Sequence, residues 1–190
     1  FGGRGGDGAK LSSAQRIVSG IAQGARGQAI LKNSTTRLII YSEANTSGNP
    51  EKFLRFFGIV YFEELRDETG TVTDSGWRAA TQGTYLPEGI YFNKALSKDW
   101  PESTMNLDYP RTTLQSTGDE FYYYEFNSNG TMAQVFQNAW LALQVGVLTG
   151  SPPAPEFPAT AEDEGWNLKT ALIFRRAGTT TPVNDPANVD

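Results

Sequence analysis

Between residues 9 and 34 the apolar side chains fall at Leu11, Ala14, Val18, Ile21, Ala25 and Ala29. A spacing of three or four sets them on one face of a helix. Ser12 with Gln15 three residues on has the form of a capping box and marks a helix start. Gly20, Gly24 and Gly27 recur along one side, each costing roughly 1 kcal/mol against alanine inside a helix. A helix with three such residues is held by close packing against something, not by propensity. At Arg37-Leu38-Ile39-Ile40-Tyr41 the period changes abruptly to that of a strand.

Strands are expected at 36–43, rich in β-branched and aromatic residues, and at 58–65, 77–82 and 119–126. A turn covers 44–50, a single helical turn or irregular approach 51–57, and a polar hairpin connection 66–76. Pro87-Glu88-Gly89 is a turn feeding a short strand at 90–92, and Asn127-Ser128-Asn129-Gly130 is a hairpin turn. Residues 93–118 are mostly an inserted loop, and 133–148 is assigned to a strand. Residues 150–165, with four prolines and the acids Glu162, Asp163 and Glu164, form an exposed loop. The last strand lies in 166–176, with a short one after Thr179. The fold class is α+β: one N-terminal helix packed on an antiparallel β-sheet of six to eight strands, in one sheet or two. Residues 1–8, FGGRGGDG, are a flexible lead-in, and 9–190 form a single globular domain with helix 9–34 and sheet 36–183.

Charge changes this picture. The net charge is −5, yet from Gly8 to Ser42 the chain carries Lys10, Arg16, Arg26, Lys32 and Arg37 and no acid. The helix therefore either meets solvent or meets an acidic partner, such as the acidic globular part of a neighbouring copy. With neither histidine nor cysteine present, zinc sites built on those ligands, thiol nucleophiles and histidine triads are excluded. The candidate acids are Glu63, Glu64, Asp119, Glu120 and Glu125. Neighbours on a strand point to opposite faces, so Glu63 and Glu64 do not line one cleft. Gly3-Arg4-Gly5-Gly6-Asp7-Gly8 has the letters of a dinucleotide fingerprint without the strand before it or the βαβ unit after it. No enzymatic activity, no cofactor and no metal site is expected.

Four short segments and a closing strand resemble the minor pseudopilins of type II secretion, in their GspH/FimT-like group. Ala25-Arg26-Gly27-Gln28-Ala29 is similar to the Ala-Arg-x-x-Ala segment late in that family's long helix, and Arg37-Leu38-Ile39-Ile40 follows where a first strand belongs. Leu86-Pro87-Glu88-Gly89-Ile90 looks like its Leu-Pro-x-Gly-Val, and Phe126-Asn127-Ser128-Asn129-Gly130-Thr131 like its Phe-x-x-x-Gly hairpin. Ile173-Phe174-Arg175-Arg176-Ala177-Gly178 is similar to a closing strand that leads into a glycine. The pieces span residues 9–178 in the family's order. The chain departs from the pattern at Phe1-Gly2-Gly3, where the mature proteins begin Phe-Thr-Leu-x-Glu and continue with about 20 apolar residues, enough to span a bilayer.

The resemblance implies a non-enzymatic subunit of a secretion filament, methylated at its N-terminus as the family is. Its anchor, a segment missing upstream of Phe1, would sit in the bacterial inner membrane, with the globular part in the periplasm. The partners it implies are other pseudopilin subunits, met through the N-terminal helix, with no nucleic acid expected. The candidate partner-binding residues are Leu11, Arg16, Gly20, Gly24, Arg26 and Gly27, with the glycine row turned toward the neighbour. Two other readings stay open at this point. One is a minor pilin-like binding module that holds DNA or a surface ligand through Arg16, Arg26, Lys32, Arg175 and Arg176. The other is a glycan-active or capsid-like β-sandwich in which the helix is incidental.

Overall fold

The computed structural model describes residues 3–44, 49–111 and 118–185. Helix α1 (Gly3–Lys32) is 30 residues long, roughly 45 Å at 1.5 Å per residue. It starts at Gly3, so the expected flexible lead-in is helical over 3–8, and Phe1 and Gly2 lie outside the described residues. Once nucleated, a helix extends at little cost per residue, and that outweighs the local preference of the glycines. The capping box expected at Ser12 does not form, because Ser12 and Gln15 lie inside the helix. The Gln15 amide Nε2 instead donates to Thr170 Oγ1 at 2.6 Å and to the Ala171 carbonyl at 3.1 Å.

The other end of the helix stops at Asn33, where φ is 47°. Asn33 N donates to the Ile30 carbonyl and Ser34 N to the Ala29 carbonyl. This pair of bonds is a Schellman motif with asparagine in the left-handed position usually taken by glycine. The helix therefore ends two residues before the expected 34.

Twelve strands follow among the described residues. They are β1 (Thr36–Tyr41), β2 (Phe56–Arg66), β3 (Val72–Ala79), β4 (Thr84–Tyr85), β5 (Ile90–Phe92), β6 (Thr104–Leu107), β7 (Asp119–Phe126), β8 (Trp140–Val145), β9 (Val147–Thr149), β10 (Ala154–Glu156), β11 (Lys169–Phe174) and β12 (Thr180–Val183). One antiparallel sheet has the order β3-β2-β1-β7-β6, with β4 paired to β2; a second has the order β12-β11-β8-β5; β9 and β10 form a separate hairpin. The expected six to eight strands are thus twelve, in three sheets.

The differences have local causes. The 66–76 connection is shorter than expected, because Asp67 Oδ1 accepts from the Thr69 and Thr71 N–H groups and closes a tight turn, so that β3 starts at Val72. The inserted loop contains β6, an edge strand specified by its pairing with β7, while 112–117 lie outside the described residues. The expected strand 133–148 is broken by a 3-10 turn at Gln134–Phe136 and by Gly146, giving β8 and β9. The proline loop holds β10, which pairs with β9. Of the expected turn at 44–50, residues 45–48 lie outside the description.

Helix α1 packs against both large sheets. Ala14, Val18, Ala22, Ala25 and Ala29 are fully buried there. They share a core with Leu38, Ile40, Phe57 and Ile59 of the first sheet and Leu141, Leu143, Leu172 and Phe174 of the second. Ile21, expected on the buried face, is half-exposed, and Ala22 takes its place. A second cluster on the far side of the first sheet gathers Ile39, Tyr41, Phe56, Val60, Leu107, Tyr109 and Phe121.

Gly58 belongs to that far side. A methyl group there would run into the Tyr109 ring, which is fixed because its hydroxyl donates to the Thr81 carbonyl at 2.8 Å. Gly58→Ala is expected to cost about 1–3 kcal/mol by overpacking. Gly8→Ala, where a methyl meets nothing within 4 Å, should raise stability by up to about 1 kcal/mol. Urea midpoints of the two variants check the contrast.

Candidate assembly surface

The face of α1 turned away from the core carries Ser12, Arg16, Gly20, Gly24, Gly27 and Leu31, all exposed. Steps of three and four residues align them in one stripe. A Cβ added at Gly20 or Gly27 would meet nothing within 4 Å, whereas one at Gly24 would lie 3.4 Å from Ile59 Cδ1. The glycine row therefore does not face one way throughout. Gly20 and Gly27 open to the outside, and Gly24 lies against Ile59 of the chain's own β2.

The other predicted residues divide similarly. Leu11 is buried in the chain's own core, so it presents no surface to a partner. Arg16 is exposed. Arg26 is half-buried: its stem runs past Gly130 and Gly178, and its Nε donates to the Ala177 carbonyl at 3.0 Å. That bond brings the end of the helix to the β11–β12 turn, where Arg175 and Arg176 are exposed.

The residues missed in the sequence are Ile30 and Leu31. They are 49% and 76% exposed beside Lys32. Their neighbour Ala29 is buried, and a step of one or two residues turns a side chain about 100° or 200° around the helix. Their position off the apolar stripe was the available signal. Arg26, Ile30, Leu31, Lys32, Arg175 and Arg176 gather at this end of the molecule, where Lys32 shares a groove with Glu63, Glu64 and Arg66.

Toward the N-terminal part of α1, residues 146–168 form an arm between β8 and β11. Its β9–β10 hairpin exposes Val147, 67% accessible. A groove of about 450 Å³ beside it is lined by Val145, Phe157 and Pro158 and by Glu156, Asp163 and Glu164. The arm is pinned to the outer face of its sheet, with the Phe157 ring 6.5 Å from that of Tyr91 and Lys169 Nζ 3.4 Å above the Trp166 ring. Asp163 shapes its tip, accepting from the Thr160 N–H at 2.7 Å and the Ala159 N–H at 2.9 Å. The Thr160 bond, followed by the Ala159 bond, holds its carboxyl below the usual carboxylate range.

The candidate acids are dispersed. Glu63 pairs with Arg78 and Glu64 with Arg66. Glu120 accepts from the Ser42 hydroxyl. Glu125 pairs with Arg37 at 3.0 Å. Arg37, counted in the basic run, is stacked between the Trp77 and Tyr123 rings at 4.2 and 3.8 Å, a desolvated cation–π sandwich that fixes it to its own sheet. Among the described residues no three carboxylates gather to hold a metal ion, and no helix is long and apolar enough to cross a membrane.

No family model and no curated protein matches the chain. Two solved structures are similar to it. The type IV minor pilin FimU of Pseudomonas aeruginosa is 11% identical with a TM-score of 0.47, over 96% of this chain and 93% of that one. The minor pseudopilin EpsH from the type 2 secretion system of Vibrio cholerae is 12% identical with a TM-score of 0.47, over 95% and 99%. The likeness is of overall shape. At this identity and score it carries no argument about function.

Gly20→Ala and Gly27→Ala should each raise the stability of the isolated chain by about 0.5–1 kcal/mol, since both sit in open space on a helix; thermal midpoints read this directly. Asp163 generates a pH-dependent expectation. Its folded-state pKa is depressed, so its contribution is present above the unfolded carboxylate value of about 3.9 and is lost as pH falls through the folded value. Asp163→Asn should lower the midpoint at pH 7, and the difference from the unaltered chain should shrink in the acid range.

Proposed function

We propose that the chain is the globular part of a non-enzymatic, pilin-like assembly subunit, and that it serves a type II secretion filament as a minor pseudopilin. One observation carries the reading. A helix of 30 residues covers its own core with an alanine-rich face, while its outer face presents Gly20 and Gly27 with open space beside them and the exposed Arg16. Among the described residues Lys10, Arg16, Arg26 and Lys32 join no ion pair. A helix that served only its own domain would carry long polar side chains at Gly20 and Gly27, which favour the helix by roughly 0.5–1 kcal/mol each. Small residues on an outer face admit another backbone closely, as they do where helices pair in membranes.

The resemblance of residues 25–29, 37–40, 86–90, 126–131 and 173–178 to the minor pseudopilins supports the same reading. Under it, an upstream anchor continues α1 into the inner membrane, the body lies in the periplasm, and the partners are other pseudopilin subunits. The residues that meet them are Arg16, Gly20 and Gly27, with Arg26 at the margin; Leu11 and Gly24 drop out of the set because both contact the chain's own core. A second reading, DNA binding, is favoured by one observation, the gathering of Arg26, Arg175 and Arg176 at one end.

The absence of cysteine from the chain gives a clean test. A single Gly20→Cys substitution adds a thiol in open space, and a maleimide that carries a photoreactive benzophenone, applied to cells that use the full-length protein and then illuminated, should join it to a neighbouring pseudopilin chain. Gly20→Leu should leave the thermal midpoint of the isolated chain unchanged or raised while export fails. An introduced thiol that stays freely accessible in those cells, with export undisturbed by Gly20→Leu, would overturn the proposal.

A further inference from the structure

Strand β7 is paired with β1 along nearly all of one edge and with β6 along only part of the other. Pairing with β6 stops at Thr104↔Tyr122, and the next backbone bond on that edge runs from Ala133 N to the Glu125 carbonyl at 3.0 Å. Backbone groups two residues apart on an antiparallel strand point to the same edge. The Tyr123 carbonyl and the Glu125 N–H therefore face the interval between those two attachments. Among the described residues neither makes a backbone bond across it. A cavity of about 490 Å³ opens at this interval.

Its walls carry aromatic surface and hydrogen-bonding groups together. Trp100, Tyr123 and Phe136 supply the rings, with the exposed Val135 beside them. Asp99, Glu102 and Ser103 line the side formed by the loop before β6, and all three are exposed. Among the described residues neither of these carboxylates joins an ion pair. Arg37 and Glu125 complete the lining. Arg37 Nε and Nη2 both reach Glu125 Oε1 at 3.0 Å, so Oε2 takes no part in the pair. The Trp100 indole Nε1–H is buried without a partner, whereas buried donors in native proteins are nearly always bonded.

Charge around the cavity is mixed. Against Asp99, Glu102 and Glu125 stand Arg37, held in its pair, and two lysines of the adjoining loop. Lys98 precedes Asp99 in the chain, and Lys94 Nζ lies 5.5 Å from the centre of the Tyr122 ring, against which Trp100 packs. Such a balance selects neither a strong anion nor a strong cation. What remains free is a set of acceptors (the carboxylates and the Tyr123 carbonyl) and donors (the Ser103 hydroxyl and the Glu125 N–H) beside aromatic rings.

We infer that this cavity binds a neutral sugar of one or two rings. Sugar hydroxyls donate and accept at once, which suits walls that offer both. The C–H faces of a pyranose are apolar and pack on aromatic side chains. The volume lies within the ordinary range for a small-ligand cleft, about 300–1,000 Å³. An open β edge also invites an added peptide strand, but here the run is too short. Tyr123 to Glu125 spans about 7 Å, closed by β6 on one side and by Met132 and Ala133 on the other, while strands usually run to about 5–6 residues. A compact ligand fits where an extended one is blocked. No residue of α1 lines the cavity, so this binding capacity is additional to the assembly reading and does not rest on it.

Titration of the nitrogen-15-labelled chain with cellobiose, maltose and diacetylchitobiose tests this. At least one of them should shift the backbone amides of Ser103, Tyr123 and Glu125 and the Trp100 indole N–H together, with a Kd of about 1 mM or below. Ser103→Trp, at an exposed position on the wall, should fill the cavity and abolish the shifts while the thermal midpoint is kept. Glu102→Ala should weaken binding about tenfold through loss of a charged acceptor. As a change at an exposed, unpaired side chain, it decides the question should Ser103→Trp lower the midpoint.

No shift with any of the three sugars at about 100 mM, shifts confined to amides away from the cavity, or binding that both variants leave unchanged would overturn the inference. So would a capped Val-Lys-Val peptide that shifts the same amides where the sugars do not, which would make the interval a strand-addition site. The outcome is separable from that of the helix-face test. A chain that binds no sugar and still gives the Gly20→Cys cross-link in cells loses only this site, and one that binds sugar without the cross-link loses only the assembly role of the helix face.

Discussion

The close approach of α1 to two sheets is the constraint on which the rest of the structure depends. It is made by methyl groups: Ala14, Ala22, Ala25 and Ala29 are fully buried, and none of them extends far from the helix backbone. The backbone comes near enough for the Thr36 hydroxyl, at the start of β1, to donate to the Ala25 carbonyl at 2.9 Å. A helix faced with leucines would stand further off and leave that buried hydroxyl without its partner, at a cost of about 1–3 kcal/mol. With the helix so close, the sheets also meet each other beyond it, Tyr124 of β7 lying 4.7 Å from Phe174 of β11. Burial of the Tyr124 phenol in that seam holds its pKa above the ordinary value, so it remains a neutral core group throughout the physiological range.

How much of this was legible in the sequence depended on whether the signal was local. Strand β7 agreed at both boundaries, since Asp119 to Phe126 alternates and is closed by an Asn-Gly turn that the structure retains, with Asn127 N donating to the Thr131 carbonyl at 2.7 Å. The helix was legible from its stripe, but its phase was shifted at one position. Ile21 looked the stronger core residue, yet geometry gave the place to Ala22, because only a methyl fits where both sheets press on the helix. Strands β6 and β10 were not legible, since three or four residues are too short a run to show a period of their own. Their identity as strands comes from partners fixed elsewhere, β7 for one and β9 for the other. The same holds for the surface. Arg37 read as one more helix-side cation, and nothing in its neighbours announced that Trp77 and Tyr123 would close over it from distant strands.

The glycine row shows how a correct pattern was read with an incomplete consequence. Three glycines on one side do mark close approach, but the structure divides them by what lies beyond each. At Gly24 the approaching group is Ile59 of the chain itself, and at Gly20 and Gly27 the space is open. Periodicity places residues on a face; it does not say how far the neighbouring sheet extends along that face. The Ile59 side chain of β2 reaches Gly24, so a single stripe meets the chain's own core at one point and open space on either side of it.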